Sequence, residues 1–197
     1  MKRRNDPARP TVWLIPEDLT GYYVFEAIFR EKQLNTHLEL RGRAEGVAKL
    51  AKEVEGLIET LLREKSPTDC IIILHDTDES VQENRKSYLE IERICDKEKY
   101  RAHVIRIEVV QEIEAWLLAD TKLCQWLEKS PKASDHIPQP SKVFEAHLNK
   151  QKHMKWNNLN KSKVLKNMDA TGDQPGRSQS MSAAMQTLLQ LPCVQSP

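Results

Sequence analysis

Ile71-Ile72-Ile73-Leu74-His75-Asp76-Thr77-Asp78-Glu79-Ser80 is an apolar run that ends in two carboxylates one residue apart, and its reading decides the fold. Four consecutive aliphatic residues bounded by polar ones suit a strand covered on both faces, as the central strands of parallel sheets are. Ligands of such sheets sit beyond the carboxyl ends of the strands. Asp76 and Asp78 leave an extended chain on one side, so together they offer the hard oxygen ligands that Mg²⁺ or Mn²⁺ prefers. A competing reading has Asp78, Glu79 and Ser80 simply cap the next helix, because Ser80 and Glu83 have capping-box spacing. Capping accounts for Ser80 and Glu83 but not for two aspartates directly after a hydrophobic strand.

Upstream, Thr11-Val12-Trp13-Leu14-Ile15 is a short β-prone run ended by Pro16, Glu17 and Asp18, a second strand with acids at its tip. Thr20 is expected to cap a helix that turns Val24, Phe25, Ile28 and Phe29 inward, and Thr36 to Leu40 reads as a weaker strand. From Gly46 the residues Val47, Leu50, Ala51, Val54, Leu57, Ile58, Leu61 and Leu62 recur at helical spacing. Downstream follow a charged amphipathic helix, with Val81, Tyr88, Ile91 and Cys95 on its buried stripe, and an alternating strand within Ala102 to Val110. Alternating strands and helices predict an α/β fold, a mostly parallel sheet flanked by helices.

Beyond that strand stands Gln111-Glu112-Ile113-Glu114-Ala115-Trp116-Leu117-Leu118-Ala119-Asp120, where acids again open a helix at a strand end. Three strand ends therefore carry acids: Glu17, the pair Asp76 and Asp78, and Glu112 or Glu114. Taken singly, a glutamate here is also explained as a first-turn residue favoured by the helix dipole. In a helix, Glu112 and Glu114 point about 200° apart, so only one faces the others, and phase alone does not rank them.

Residues 1–10 read as a flexible basic arm, 11–128 as the α/β core and 129–197 as a C-terminal extension packing on it. From Ser130 to Asn160 the composition shifts to Pro, Lys, His, Asn and Gln, which predicts an irregular basic insert. His136, His147 and His153 are too scattered for a zinc set. Lys161, Lys163 and Lys166 lie on a short helical pattern with Val164, Leu165 and Met168; a Gly/Ser/Gln-rich loop and a terminal helix, Met181 to Leu191, follow. Lys150, Lys152, Lys155, Trp156, Lys161 and Lys163 form the local candidate for phosphate contacts with an aromatic to stack on a base; the alternative is a solvated basic loop.

Composition excludes other classes. With 30 Lys and Arg against 29 Asp and Glu among 197 residues, the charge of +1 announces no global nucleic-acid footprint. Cys70, Cys95, Cys124 and Cys193 show no CxxC pairing, and no signal peptide is recognisable, so reduced thiols and a cytoplasmic location are expected. No apolar run approaches the roughly 20 residues of a membrane span. No Gly-rich phosphate loop marks the chain as an ATPase.

These residues carry a resemblance. An acid after the first strand, an aspartate pair after a later buried strand and an acid after the next strand resemble the TOPRIM nucleases. Glu114-Ala115-Trp116-Leu117-Leu118-Ala119-Asp120 is similar to the signature of a bacterial domain-of-unknown-function family of small, stand-alone TOPRIM-like proteins, and Lys161 to Asp169 resembles that family's C-terminal region. The resemblance implies a TOPRIM-like fold and Mg²⁺- or Mn²⁺-dependent phosphodiester hydrolysis. Glu17, Asp76, Asp78 and Glu114 would be the metal ligands, and Lys161 and Lys163 the catalytic cations. It also implies a nucleic-acid substrate and a partner, an AAA- or ABC-type ATPase encoded nearby in an anti-phage defence locus, through which the chain would oligomerise. One departure stands out. The family motif runs Glu-Gly-x-Thr/Ser-Glu, whereas this chain has Glu17-Asp18-Leu19-Thr20-Gly21.

Two other classes remain. An apolar strand followed by Asp-x-Asp also opens haloacid-dehalogenase-like phosphatases, with Asp76 as nucleophile, although two strands precede it here and no downstream metal motif is evident. The altered Glu17 motif also fits a non-catalytic TOPRIM-like binding or regulatory subunit.

Overall fold

The computed structural model describes residues 9–42, 45–77, 82–132, 134–169 and 178–195. The β-branched and aliphatic runs form β1 (Thr11–Pro16), β2 (His37–Leu40), β3 (Cys70–Thr77) and β4 (Val104–Val110). They pair in parallel in the order β2-β1-β3-β4. The run Ile71 to Leu74 lies in a strand paired on both sides and is buried throughout, as a strand without a solvated face must be. Helices α1 (Leu19–Glu31), α2 (Val47–Glu64), α3 (Gln82–Cys95) and the short α4 (Glu98–Arg101) lie in the connections between strands. The chain steps from β1 outward to β2, then returns past β1 to build β3 and β4. The strand order therefore reverses between β1 and β3, and in open parallel sheets the crevice at such a reversal is where ligands bind.

Side-chain alternation divides the interior in two. Val12, Leu14, Ile72, Leu74, Ile107 and Val109 face a core shared with α1 and the C-terminal helices, whereas Ile15, Ile71, Ile73 and Val104 face α2, α3 and Tyr100. The predicted stripe of α2 is buried at Val47, Leu50, Val54, Ile58 and Leu61. On β3 the same alternation turns Asp76 toward the α1 face and His75 toward the α3 face.

The C-terminal third is more regular than its composition indicates. It folds into α5 (Glu114–Ala119), α6 (Thr121–Trp126), α7 (Pro140–Lys152), α8 (Asn158–Leu165), α9 (Gln179–Leu189) and α10 (Pro192–Gln195). The irregular insert expected over 130–160 is thus corrected by thirteen helical residues in α7. Only Pro140, Phe144 and Leu148 of that helix are buried, too few apolar positions for periodicity to register. Phe144 and Leu148 join Val164, Leu165 and Met168 in the core around α1.

Buried polar groups fasten these helices. Asp135 accepts from the hydroxyls of Ser178 and Ser180 and from the amides of Gln179 and Ser180 at the head of α9. Trp116 Nε1 donates to Ser180 Oγ at 2.9 Å. Asp120 caps α6 by accepting from Leu123 N at 2.7 Å, and its other oxygen accepts from Asp169 N beyond α8 at 3.0 Å.

The expectation of four reduced thiols is also corrected. Cys70, at the start of β3, is bridged to Cys193 in α10, while Cys95 and Cys124 are buried thiols outside that bridge. Residues 123 apart in sequence meet only through the fold, which is why spacing did not pair them. Among the described residues, no helix is long and apolar enough to cross a membrane. Because the bridge closes so long a loop in the unfolded chain, its reduction should lower the melting temperature by roughly 5–15 °C. Calorimetry with and without reductant, and on Cys70→Ser, measures this; an unchanged melting temperature would show that the bridge does not constrain the fold.

Candidate functional site

Glu17 directly follows β1 and Asp76 lies in the last turn of sequence of β3, side by side where the strand order reverses. The Glu17 amide donates to Leu74 O at 2.8 Å, and its carboxylate Oε2 accepts from Asp76 N at 3.0 Å. Glu17 thereby laces the two strand ends together. Burial holds its carboxyl well above the usual carboxylate range. Hydrogen bonds from the backbone of Asp76 and of Val47, at the head of α2, oppose that rise, and Asp18 and Glu112 reinforce it. The Asp76 carboxyl is likewise raised well above its ordinary value, first by burial and then by the charges of Glu17, Glu114, Asp18 and Glu112.

The structure separates Glu112 from Glu114. Glu114 opens α5, is 7 % exposed and accepts from Trp156 Nε1 at 2.6 Å. Burial pushes it up to about 7 against the pull of that hydrogen bond. Glu112 instead accepts from Ser141 N at 2.7 Å in the first turn of α7, where a carboxylate complements the helix dipole. Of the two, Glu112 does the capping and Glu114 is the one enclosed beside Asp76.

Asp18, not Thr20, caps α1: its carboxylate accepts from Thr20 N at 2.7 Å, Gly21 N at 3.1 Å and Thr20 Oγ1 at 2.8 Å. Lys161, buried on α8, brings a cation to this corner. Its Nζ donates to Thr20 Oγ1 at 2.5 Å, lies 3.7 Å from Asp18 Oδ2 and sits 5.5 Å from the centre of the Trp156 ring. Lys163, two residues on and so about 200° around the helix, is exposed and is not drawn into this group. Trp156 is not the open stacking platform its basic surroundings indicated. Its ring nitrogen serves Glu114 and its ring packs edge-on against Phe144 at 4.8 Å.

The departure at Gly21 has a packing cause. A Cβ there would lie 2.7 Å from Leu74 Cδ2 and 3.3 Å from Pro16 Cβ, so the first turn of α1 rests directly on the ends of β1 and β3. A longer residue at this position has to displace the buried Leu74.

Asp78, with Glu79 and Ser80, lies outside the described residues. Among the described residues, no three His, Cys, Asp or Glu side chains are gathered closely enough to hold a metal ion. The donor chemistry nonetheless suits a hard divalent cation: Glu17, Asp76 and Glu114 are oxygen donors whose carboxyls are raised first by burial and then by neighbouring acids. Sequence reasoning missed the capping by Asp18 and Glu112 and the Trp156–Glu114 bond. Only the first had a local signal, an aspartate two residues before a threonine at a helix start. Comparison with known proteins finds no matching family model, no matching curated protein and no matching solved structure.

The raised carboxyls set a pH dependence. Between 4.5 and about 7 the folded chain holds a proton on Glu114 that the unfolded chain has released, so stability falls as pH rises through that window. Glu114→Gln should flatten the fall, an effect on the order of 3 kcal/mol at most. Mg²⁺ or Mn²⁺ should raise the melting temperature more at about pH 7.5 than at about pH 5, because binding has to displace protons. Thermal melts across pH check both, and an equal metal shift at the two pH values would count against carboxylate ligation.

Proposed function

We propose that this chain is a divalent-metal-dependent nuclease, hydrolysing phosphodiesters of DNA or RNA as the effector subunit of an ATPase-coupled anti-phage system. The observation that carries the reading is the pairing of Glu17 with Asp76 at the reversal of a parallel sheet, within electrostatic reach of Glu114 and with Lys161 beside Asp18. Glu17, Asp76, Asp78 and Glu114 would hold Mg²⁺ or Mn²⁺ through carboxylate oxygens. Such an ion, when bound, polarises a phosphoryl oxygen and lowers the pKa of a coordinated water. Lys161, steadied by Thr20, would offset negative charge on the phosphate, and Trp156 holds the Glu114 carboxylate in one orientation. The AAA- or ABC-type partner rests on the resemblance of Glu114 to Asp120 alone. The cytoplasmic location expected with such a partner stands against the Cys70–Cys193 bridge, since that compartment keeps thiols reduced.

One observation favours a second reading. With Asp18 engaged as a helix cap and Gly21 closed against Leu74, the first acid motif lacks its second carboxylate, which suits a subunit that binds without turnover. Cleavage of single- and double-stranded DNA and RNA by the purified chain with Mg²⁺ or Mn²⁺, alone and with the product of a neighbouring ATPase gene, tests both. Asp76→Ala should abolish cleavage without unfolding the chain, and Glu114→Gln should lower it at least tenfold more than Glu112→Gln. Metal binding with no cleavage under any condition would replace the nuclease by the non-catalytic subunit, and equal losses at the two glutamates would show that the wrong carboxylate was assigned.

A further inference from the structure

On the other side of the strand ends, a cavity of about 1050 Å³ opens between α3, the edge strand β4 and the 135–139 segment. It begins one residue from the carboxylates on both sides, since Thr77 follows Asp76 and Gln111 precedes Glu112. Two large apolar side chains stand open in it, Leu89 at 55 % and Val110 at 39 % exposure. Tyr88 adds an aromatic wall, backed at 5.7 Å by the nearly parallel ring of His75, which is buried and whose Nε2 finds no partner among the described residues.

Most charged side chains of the lining are already engaged, Asp135 by Ser178, Gln179 and Ser180 at the head of α9. Arg106 is taken by Glu92 at 3.0 Å and Glu108 at 2.7 Å, so the floor offers little to a bare anion. Gln111 and Gln139 also line the cavity, each in the left-handed backbone region that few residues other than glycine adopt, with φ of 67° and 50°. Arg85 stands exposed at the rim. Flat apolar contact, an aromatic wall, amides that both donate and accept, and one peripheral cation describe the recognition of a heteroaromatic base attached to a phosphate.

We propose that this cavity is a nucleobase subsite, taking an unpaired base of a single-stranded nucleic acid whose backbone runs past the carboxylates. The inference deepens the nuclease reading and rests on its nucleic-acid substrate, but it concerns binding and is tested without metal. Paired bases are shielded within a duplex, so the subsite selects single strands over double strands.

The full chain is titrated in EDTA with a fluorescent single strand about ten nucleotides long, the same strand with abasic sugars, and the corresponding duplex. The base-bearing strand should bind at least tenfold more tightly than either of the others, and inorganic phosphate should not compete. Leu89→Ser and Gln139→Ala, both at exposed positions, should each weaken the base-bearing strand several-fold and leave the abasic strand unchanged. Equal affinity for base-bearing and abasic strands overturns the subsite, even where metal-dependent cleavage is present. Base-dependent binding without cleavage under any condition upholds the subsite and removes the nuclease reading.

Discussion

The hydrogen bond from the Asp76 amide to the Glu17 carboxylate joins the two strands between which the sheet reverses. A carboxylate that ties strand ends there is spent partly on structure. The same residue also meets the head of α2, so the position of Glu17 couples both strands to a helix from each side of the reversal. Around this tie stand Asp18, Asp76, Glu112 and Glu114; Asp76 and Glu114 answer the burial and the neighbouring charge with raised carboxyl pKa values, and Lys161 lies beside Asp18.

The C-terminal helices form part of the site. α8 delivers Lys161 to Asp18 and Thr20, and the turn before α8 delivers Trp156 to Glu114. Those helices are held by buried groups far from the acids: Asp120 ties the start of α6 to Asp169, and Asp135 with Trp116 fixes the start of α9. The segment Glu114 to Asp120 therefore mixes two kinds of residue. Its first acid belongs to the cluster, whereas Trp116 and Asp120 place the helices that complete it.

The two faces of the sheet end differently at the same edge. On the α1 face, Glu114 is buried at the start of α5 and accepts from Trp156. On the α3 face, open apolar side chains and charged groups already engaged with one another or with α9 surround a cavity. Strand alternation produces the contrast, since consecutive residues of β3 and β4 must face opposite ways, and His75 beside Asp76 is its sharpest instance.

The sequence by itself determined the parallel sheet, the helical stripe of α2 and the delivery of acids to strand ends, because these follow from periodicity and from the abrupt boundary at Asp76. Terminal caps were partly legible too, although Thr20 was preferred to Asp18 when both are cap formers within one turn. Tertiary structure alone decided the rest. That Glu112 caps α7 while Glu114 is buried depended on where the head of α7 falls, and α7 itself was hidden by a stripe of only three buried residues. The Cys70–Cys193 bridge, the Lys161–Thr20 contact and the Trp156–Glu114 bond join residues at least 42 positions apart. Local patterns carry no information about such pairs, because their energies arise only once the whole chain has closed around them.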